Sequence, residues 1–379
     1  MDYLSADSPR MYQAGEADIF VGRRGRLKRY LVCSMDGYFP VAVRTGDRSI
    51  AVIYRMGAPH TGVQGTLAVA SSEDGGKTWS DPVEIAPRWL DNRNPAFGVN
   101  STGELIAAYW KASIHTFRRD GERLVRRWPM DAKDIEALKD VPATFVTRSA
   151  DGGRGWTRPE AIASEHLSFI SPYGRIIQLP QGPLLMSIYG GMRRDPEGKE
   201  IACTLLRSSD GGKTWGDETL VKTGYGETSY VALPDGRLLA AARSNGAGHV
   251  AVFHSDDGGR NWSTPAKVTR DWEHPADLTA LADGTVLLTF GRRIRPMGCG
   301  ALLSEDGGST WRTDREVLLA GDGVESIDLG YPSTVQLADG AIVTLLYYAT
   351  GSGPADTPWA DWGKVSCQAI HYRPEDLRP

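Results

Sequence analysis

A glutamate, an arginine and a tyrosine hold comparable places in two hairpin-like stretches of this chain. GETSYVALPDGRLLAAAR carries Glu227 near its start and Arg243 at its end, and LGYPSTVQLADGAIVTLLYY carries Tyr331 near its start. A phenol with an ordinary pKa near 10 is a poor nucleophile at neutral pH, so Tyr331 needs a base, and Glu227 across a narrow channel would supply it. Arg243 and Arg292 would favour the phenolate and grip a substrate carboxylate through paired hydrogen bonds.

Aligning such hairpins on their turns predicts what else shares that rim. Tyr38, Asn94, Tyr173, Glu227, Pro275 and Tyr331 open the first strands, while Tyr54, Trp110, Tyr189, Arg243, Gly291 and Tyr347 close the second, with Arg55 and Arg292 one step beyond. A rim of aromatics with a few charges suits a sugar, whose faces stack on rings and whose hydroxyls and carboxylate need polar partners. His60, in the loop RMGAPHTGVQG, is a candidate proton carrier. DNRNP brings Asp91 and Arg93, and EHPAD brings His274 and Asp277. Asp277 reads equally well as a strand-end residue bonding to backbone, and His274 as a structural hydrogen-bonding group.

The elements that would position these groups announce themselves by repetition. SxDGGxxW occurs five times, at Ser72 to Trp79, Ser149 to Trp156, Ser208 to Trp215, Ser255 to Trp262 and Ser304 to Trp311. Its aspartate is expected to accept backbone N–H bonds two residues on, its glycines to supply positive φ, and its tryptophan to act as an apolar plate. One carboxylate per loop is too few oxygens for calcium. Between the phrases lie inner hairpins, three with a literal Asp-Gly turn at Asp235-Gly236, Asp283-Gly284 and Asp339-Gly340, and three with Gln181-Gly182, Thr102-Gly103 and Gly46-Asp47. Six hairpins against five phrases predict an all-β, six-bladed β-propeller with four-stranded antiparallel blades, one domain over residues 1–379. The last unit lacks a phrase, so a segment near Ala17 to Cys33 is expected to complete it. Residues 111–141 form a charged insertion with a short helical pattern, either a solvated loop or a lid or oligomer contact.

Composition narrows the classes. With 379 residues, 44 Gly, 22 Pro and 41% apolar residues, the chain is long enough for one large repeat architecture. A formal net charge of −4 without a basic block argues against a nucleic-acid partner. Cys33, Cys203, Cys299 and Cys367 show no metal-ligand spacing and read as small core hydrophobes; no metal or other cofactor is expected. The start lacks a basic region followed by an apolar run, and no stretch of 18 apolar residues occurs, which predicts a cytoplasmic protein off the membrane, or a secreted one if a leader was removed.

The five phrases are the Asp boxes of the sialidase superfamily, and the chain resembles that family over essentially its whole length. The resemblance implies a six-bladed propeller that hydrolyses terminal sialic acids with retention. It uses a tyrosine nucleophile, a glutamate that activates it, an aspartate acid/base and three arginines that hold the sugar carboxylate. On the quoted hairpins it places the glutamate on Glu227, the second arginine on Arg243, the nucleophile on Tyr331 and the third arginine on Arg292 or Arg293. The family's Phe-Arg-Ile-Pro motif is Gly37-Tyr38-Phe39-Pro40 here, and the loop of the acid/base aspartate offers Arg55 and His60. The reading is therefore a sialidase-like exo-glycoside hydrolase acting on a terminal, acidic sugar, with His60 or an aspartate as acid/base. One alternative is a propeller uronate lyase using His60, Tyr331 and Arg243; the other is a non-catalytic carbohydrate-binding propeller.

Overall fold

Runs of β-branched and apolar residues punctuated by Asp-Gly turns fold into strands throughout. The computed structural model describes residues 15–17, 27–33, 36–58, 60, 65–86, 91–111, 143–180, 182–195, 197, 199–246, 248–321, 327–349 and 365–378. From residue 112 on, the expected insertion lies outside them.

The chain starts with β1 (Gly15–Ala17) and β2 (Leu27–Cys33), which join the last sheet. The strands β3 (Tyr38–Arg44), β4 (Ile50–Met56), β5 (Thr66–Ser72) and β6 (Val83–Glu84) form an antiparallel sheet in that order. Next come β7 (Asn92–Val99), β8 (Leu105–Lys111), β9 (Ala143–Ser149) and β10 (Glu160–Ile162), then β11 (Ser171–Gln178), β12 (Leu184–Gly191), β13 (Ile201–Ser208) and β14 (Gly216–Thr223). These two antiparallel sets merge into one eight-stranded sheet through a parallel pairing of β7 with β11. Two further four-stranded sheets follow: β15 (Tyr225–Ala232), β16 (Leu238–Ser244), β17 (Val250–Ser255) and β18 (Ala266–Lys267); and β19 (Glu273–Ala280), β20 (Val286–Arg292), β21 (Gly298–Ser304) and β22 (Val317–Ala320). The last sheet holds β23 (Gly330–Gln336), β24 (Ile342–Ala349) and β25 (Val365–Tyr372), with β2 and β1 added at its outer edge.

The result is an all-β, propeller-like arrangement of antiparallel blades. The first strand of each set touches the next: β3 lies by β7, β7 by β11, β11 by β15, β15 by β19, β19 by β23, and β23 again by β3. The ring is held shut by chain ends of opposite origin, since β2 pairs antiparallel with β25, Leu31 opposite Gln368 and Cys33 opposite Cys367. Apolar faces pack sheet against sheet all round. Ile50, Val52 and Ala68 meet Val343, Leu345 and Ala369 across one seam, and Leu205, Ala251 and Phe253 meet across another.

Each phrase sits between the third and fourth strands of its set, at the end of the strands away from Tyr38. There Gly75 donates to the Arg48 carbonyl of the inner turn at 2.8 Å. Ser72 Oγ donates to Asp74 Oδ1 and accepts from the Gly76 amide, and Trp79 Nε1 closes the loop onto the Gly76 carbonyl. The aspartate does not reach two residues on as expected; Asp74 Oδ1 accepts from Lys77 and Thr78, three and four residues on, both at 3.0 Å. The two-residue bond belongs instead to the inner Asp-Gly turns, where Asp235, Asp283 and Asp339 each accept from the second residue on at 3.0 Å.

One backbone feature decides what faces the channel. Each innermost strand slips register near its start, between Tyr38 and Val41, Arg93 and Ala96, Tyr173 and Ile177, Tyr225 and Thr228, Glu273 and Ala276, and Gly330 and Ser333. Such bulges re-aim a side chain and raise local twist. At three of them a bulky residue before proline takes positive φ: Phe39 at 54°, Asn94 at 43° and Tyr331 at 48°. That conformation is strained for a side chain with Cβ, and it turns the residue out of the sheet. Counting back from the turns aligned Tyr38 and Pro275 with Tyr331; the bulges align Phe39 and His274 instead, because the spacing from bulge to turn varies by a residue between sheets.

Candidate active site

Tyr331 on the bulge of β23 and Glu227 on that of β15 meet across the channel. The phenol donates to Glu227 Oε1 at 2.5 Å, and Arg243, near the end of β16, donates through Nη1 to Oε2 at 2.7 Å. Glu227 and Tyr331 are buried, at 4% and 8% exposure, whereas the Arg243 side chain keeps 34% open to solvent. Burial, and then the Glu227 charge, push the Tyr331 phenol well above 10, with Arg243 and Arg293 opposing. For Arg243, burial works against the charge, but Glu227 and Tyr331 outweigh it and hold the guanidinium more firmly protonated. A carboxylate bonded to a phenol on one oxygen and a guanidinium on the other is placed to accept the phenol's proton.

Of the adjacent pair Arg292 and Arg293, only the second faces Tyr331, since successive strand residues point to opposite faces. Arg293 lies 6.0 Å from the Tyr331 ring centre and donates to the carbonyls of Ile327 and Leu329, at 2.8 and 3.1 Å. Arg292 points the other way, donating to Glu316 Oε1 at 2.8 Å and to the Ile294 and Pro296 carbonyls. The expected role of Arg292 as substrate clamp is corrected accordingly. His274 meets Arg293 Nη1 at 3.0 Å. Since a guanidinium only donates, His274 Nδ1 accepts, and burial followed by the charges of Arg293 and Arg243 keeps this ring neutral, its pKa far below the usual value. His274 thus orients an arginine.

Asp277 lines the channel beneath Tyr331 together with Tyr173, Phe39 and Asn94. Its oxygens are engaged by the ring: Ser229 Oγ at 2.9 Å, Arg175 Nη2 at 3.0 Å and the Thr334 amide at 2.7 Å, tying β15, β11 and β23 together. Burial raises its carboxyl despite these bonds. This is the strand-linking alternative rather than the catalytic one. Arg175, which sequence reasoning passed over, is its partly buried counterpart and also bonds the Thr334 and Leu278 carbonyls. Tyr173 spends its hydroxyl on the Ala276 carbonyl at 3.0 Å and sets its ring edge-on to Tyr331, 6.1 Å between centres.

The first two sheets hold their arginines differently. Arg55, wholly buried, donates to Asp91 Oδ1 at 2.9 Å and to the carbonyls of Asn92 and Ala58. Arg93 takes the other Asp91 oxygen at 2.8 Å and lies 5.4 Å over the Trp110 ring. One carboxylate between two guanidiniums is a structural brace. Tyr38 is buried within this wall; its ring stacks obliquely on Tyr347 at 5.1 Å, and its hydroxyl is bonded by the His60 backbone. The His60 side chain reaches Asp328, Nδ1 to Oδ1 at 2.7 Å. Asp328 also escaped sequence reading, although it stands three residues before Tyr331. So did Asp36, which burial raises to about 6 against the pull of Arg55 and the Gly57 amide.

Residues 69–344 match the family described as BNR repeat-like domain. Among curated proteins, a sialidase of Bacteroides fragilis is 23% identical over 74% of this chain and 53% of its own length. A sialidase of Micromonospora viridifaciens is 24% identical over 70% of this chain and 40% of its own. The chain therefore spans about half, or less, of the curated relatives it matches. Among solved structures, a protein of unknown function from Dyadobacter fermentans superposes with a TM-score of 0.72 at 22% identity, covering 91% of this chain and 98% of that one. The NanB sialidase of Streptococcus pneumoniae superposes with a TM-score of 0.65 at 14% identity, covering 96% of this chain and 71% of that one.

Proposed function

The chain belongs to the BNR repeat-like family of the sialidase superfamily, and from that premise we propose that it is a sialidase-like exo-glycoside hydrolase built on a single six-bladed propeller. In this reading the eight-stranded sheet is two blades joined through β7 and β11. The observation that carries the activity is the Tyr331–Glu227–Arg243 constellation, a buried phenol bonded to a buried carboxylate that is itself bonded to an arginine with a partly exposed side chain. A buried carboxylate is costly to keep without a use.

Tyr331 Oη attacks the anomeric carbon as its proton passes to Glu227, and the leaving oxygen is protonated by an acid at the rim. Water then releases the sugar with retained configuration, and Tyr331 recovers its proton. Arg243 is the anchor for a sugar carboxylate, since its side chain, unlike those of Arg55, Arg93 and Arg293, keeps a third of its surface open. The substrate class is thus a terminal acidic sugar of an oligosaccharide or glycoconjugate. The test is turnover of a panel of aryl glycosides of acidic and neutral sugars by the purified protein and by Tyr331→Phe. Hydrolysis that is lost in the variant while sugar binding persists supports the reading. Full activity in Tyr331→Phe overturns it, and appearance of an ultraviolet-absorbing unsaturated product would assign a lyase instead.

A further inference from the structure

The rim opposite Glu227 contains a second hydrogen-bonded acid–base pair. Asp328 is fully buried, and its Oδ1 accepts from two groups: His60 Nδ1 at 2.7 Å and the Tyr347 hydroxyl at 2.6 Å. The His60 side chain keeps 15% of its surface exposed. Its ring is wedged edge-on against Phe39 at 4.8 Å and Tyr38 at 5.9 Å, with interplanar angles of 85° and 74°. Phe39 in turn meets the Tyr331 ring at 4.8 Å, and Tyr347 stacks on Tyr331 at 5.6 Å. Two of the rings that seat the dyad are therefore the rings that seat the nucleophile.

We propose that Asp328 is the positioning residue of a His60–Asp328 proton-transfer dyad, in which the aromatic pair Tyr38 and Phe39 holds the imidazole at the rim, one ring away from Tyr331. The proposal rests on the hydrolase reading for its reaction. The chemistry follows from the acceptor. A carboxylate only accepts, so it keeps a proton on Nδ1, and the proton that the ring exchanges with the substrate is the one on Nε2. In the first step the imidazolium gives its Nε2 proton to the glycosidic oxygen as that bond breaks, the bond from Tyr331 Oη to the anomeric carbon forms, and the phenol proton goes to Glu227. In the second, water attacks the anomeric carbon and gives its proton to Nε2, while Tyr331 leaves and retakes the proton held by Glu227. Protons and electron pairs balance without another reactant. The absence of an arginine at Tyr38 acquires a reason as well: the position supports a histidine.

Two measurements on the full chain test this separately. Nitrogen-15 NMR of the histidine rings, with the His60 signal assigned through His60→Gln, should show the neutral ring protonated at Nδ1, and this preference should vanish in Asp328→Asn. A wild-type ring protonated at Nε2, or one unaffected by Asp328→Asn, overturns the dyad whatever the activity. Turnover should then depend on the leaving group. Asp328→Asn and His60→Gln should each lose about 10²–10⁴-fold on a sugar or methyl leaving group but roughly tenfold or less on nitrophenolate, which departs without an acid. Equal losses on both substrates mean that the pair is structural. If the tautomer is locked but the wild type cleaves neither substrate, the hydrolase reading fails and the dyad survives. Should Asp328→Asn not fold, His60→Gln, a change at the solvent-facing partner, carries the leaving-group comparison alone.

Discussion

The two ends of the blades obey opposite rules. At the far end five copies of one phrase repeat the same bonds: serine to aspartate at 2.8–2.9 Å, the second glycine amide to serine at 2.7–2.9 Å and the indole to a glycine carbonyl at 3.0–3.2 Å. At the rim the backbone device also repeats, a bulge in every innermost strand, but the side chains it presents include Phe39, Asn94, Glu227, His274 and Tyr331. Repetition of side chains marks positions whose task is the same in each blade. Repetition of backbone with divergent side chains marks a scaffold that aims different groups at one place.

The sharpest break of this contrast is at Tyr331. Tyr331→Phe should lower kcat by at least about 10³-fold, read by steady-state hydrolysis, with the thermal midpoint falling by only a few degrees as Glu227 Oε1 loses its donor. Glu227→Gln should follow with a loss of about 10²–10⁴-fold, since the amide still accepts the phenol's hydrogen bond but takes no proton. Arg243→Lys should act mainly on KM for an acidic substrate, by about tenfold or more, because a single ammonium replaces a fork that spans Glu227 and the sugar. A comparable loss with a neutral sugar would refute its role as carboxylate anchor.

At the far end the effects should be smaller and should leave kcat alone. Ser208→Ala removes a buried hydroxyl that bonds Asp210 and the Gly212 amide, a cost of about 1 kcal/mol, or roughly 2 °C in the thermal midpoint. Acid should weaken this end selectively. The Thr310 hydroxyl and amide hold Asp306 down, from 3.8 to about 2. A depressed carboxylate stabilises the fold above its unfolded value and loses that contribution as pH falls from about 4 through about 2. Thermal midpoints measured across that window should fall, and Asp306→Asn should flatten the slope.

Much of the ring could be read in advance because turns are local. Asp-Gly pairs and phrase glycines dictate hairpins from a few adjacent residues, and the missing phrase of the last blade pointed to β2. The Glu227, Arg243 and Tyr331 set was legible from the same turns, as all three sit at fixed distances from them. Harder to read was anything dependent on facing. Arg292 and Arg293 differ by one residue, and the alternation of side chains at the rim end of β20 decides which reaches Tyr331. Arg55 and Arg93 looked available until Asp91 was found between them, and Asp277 until Arg175, Ser229 and Thr334 filled its oxygens.

Residue order alone thus settled the local geometry: where strands turn, which positions repeat, and which residue types stand at the strand starts. Assembly of the ring settled the chemistry of the rim. His60 and Asp328 are 268 positions apart and meet only because β23 closes against β3. Their contact depends on bulge register and ring closure, which are products of sheet-on-sheet packing, and no short stretch of sequence encodes them.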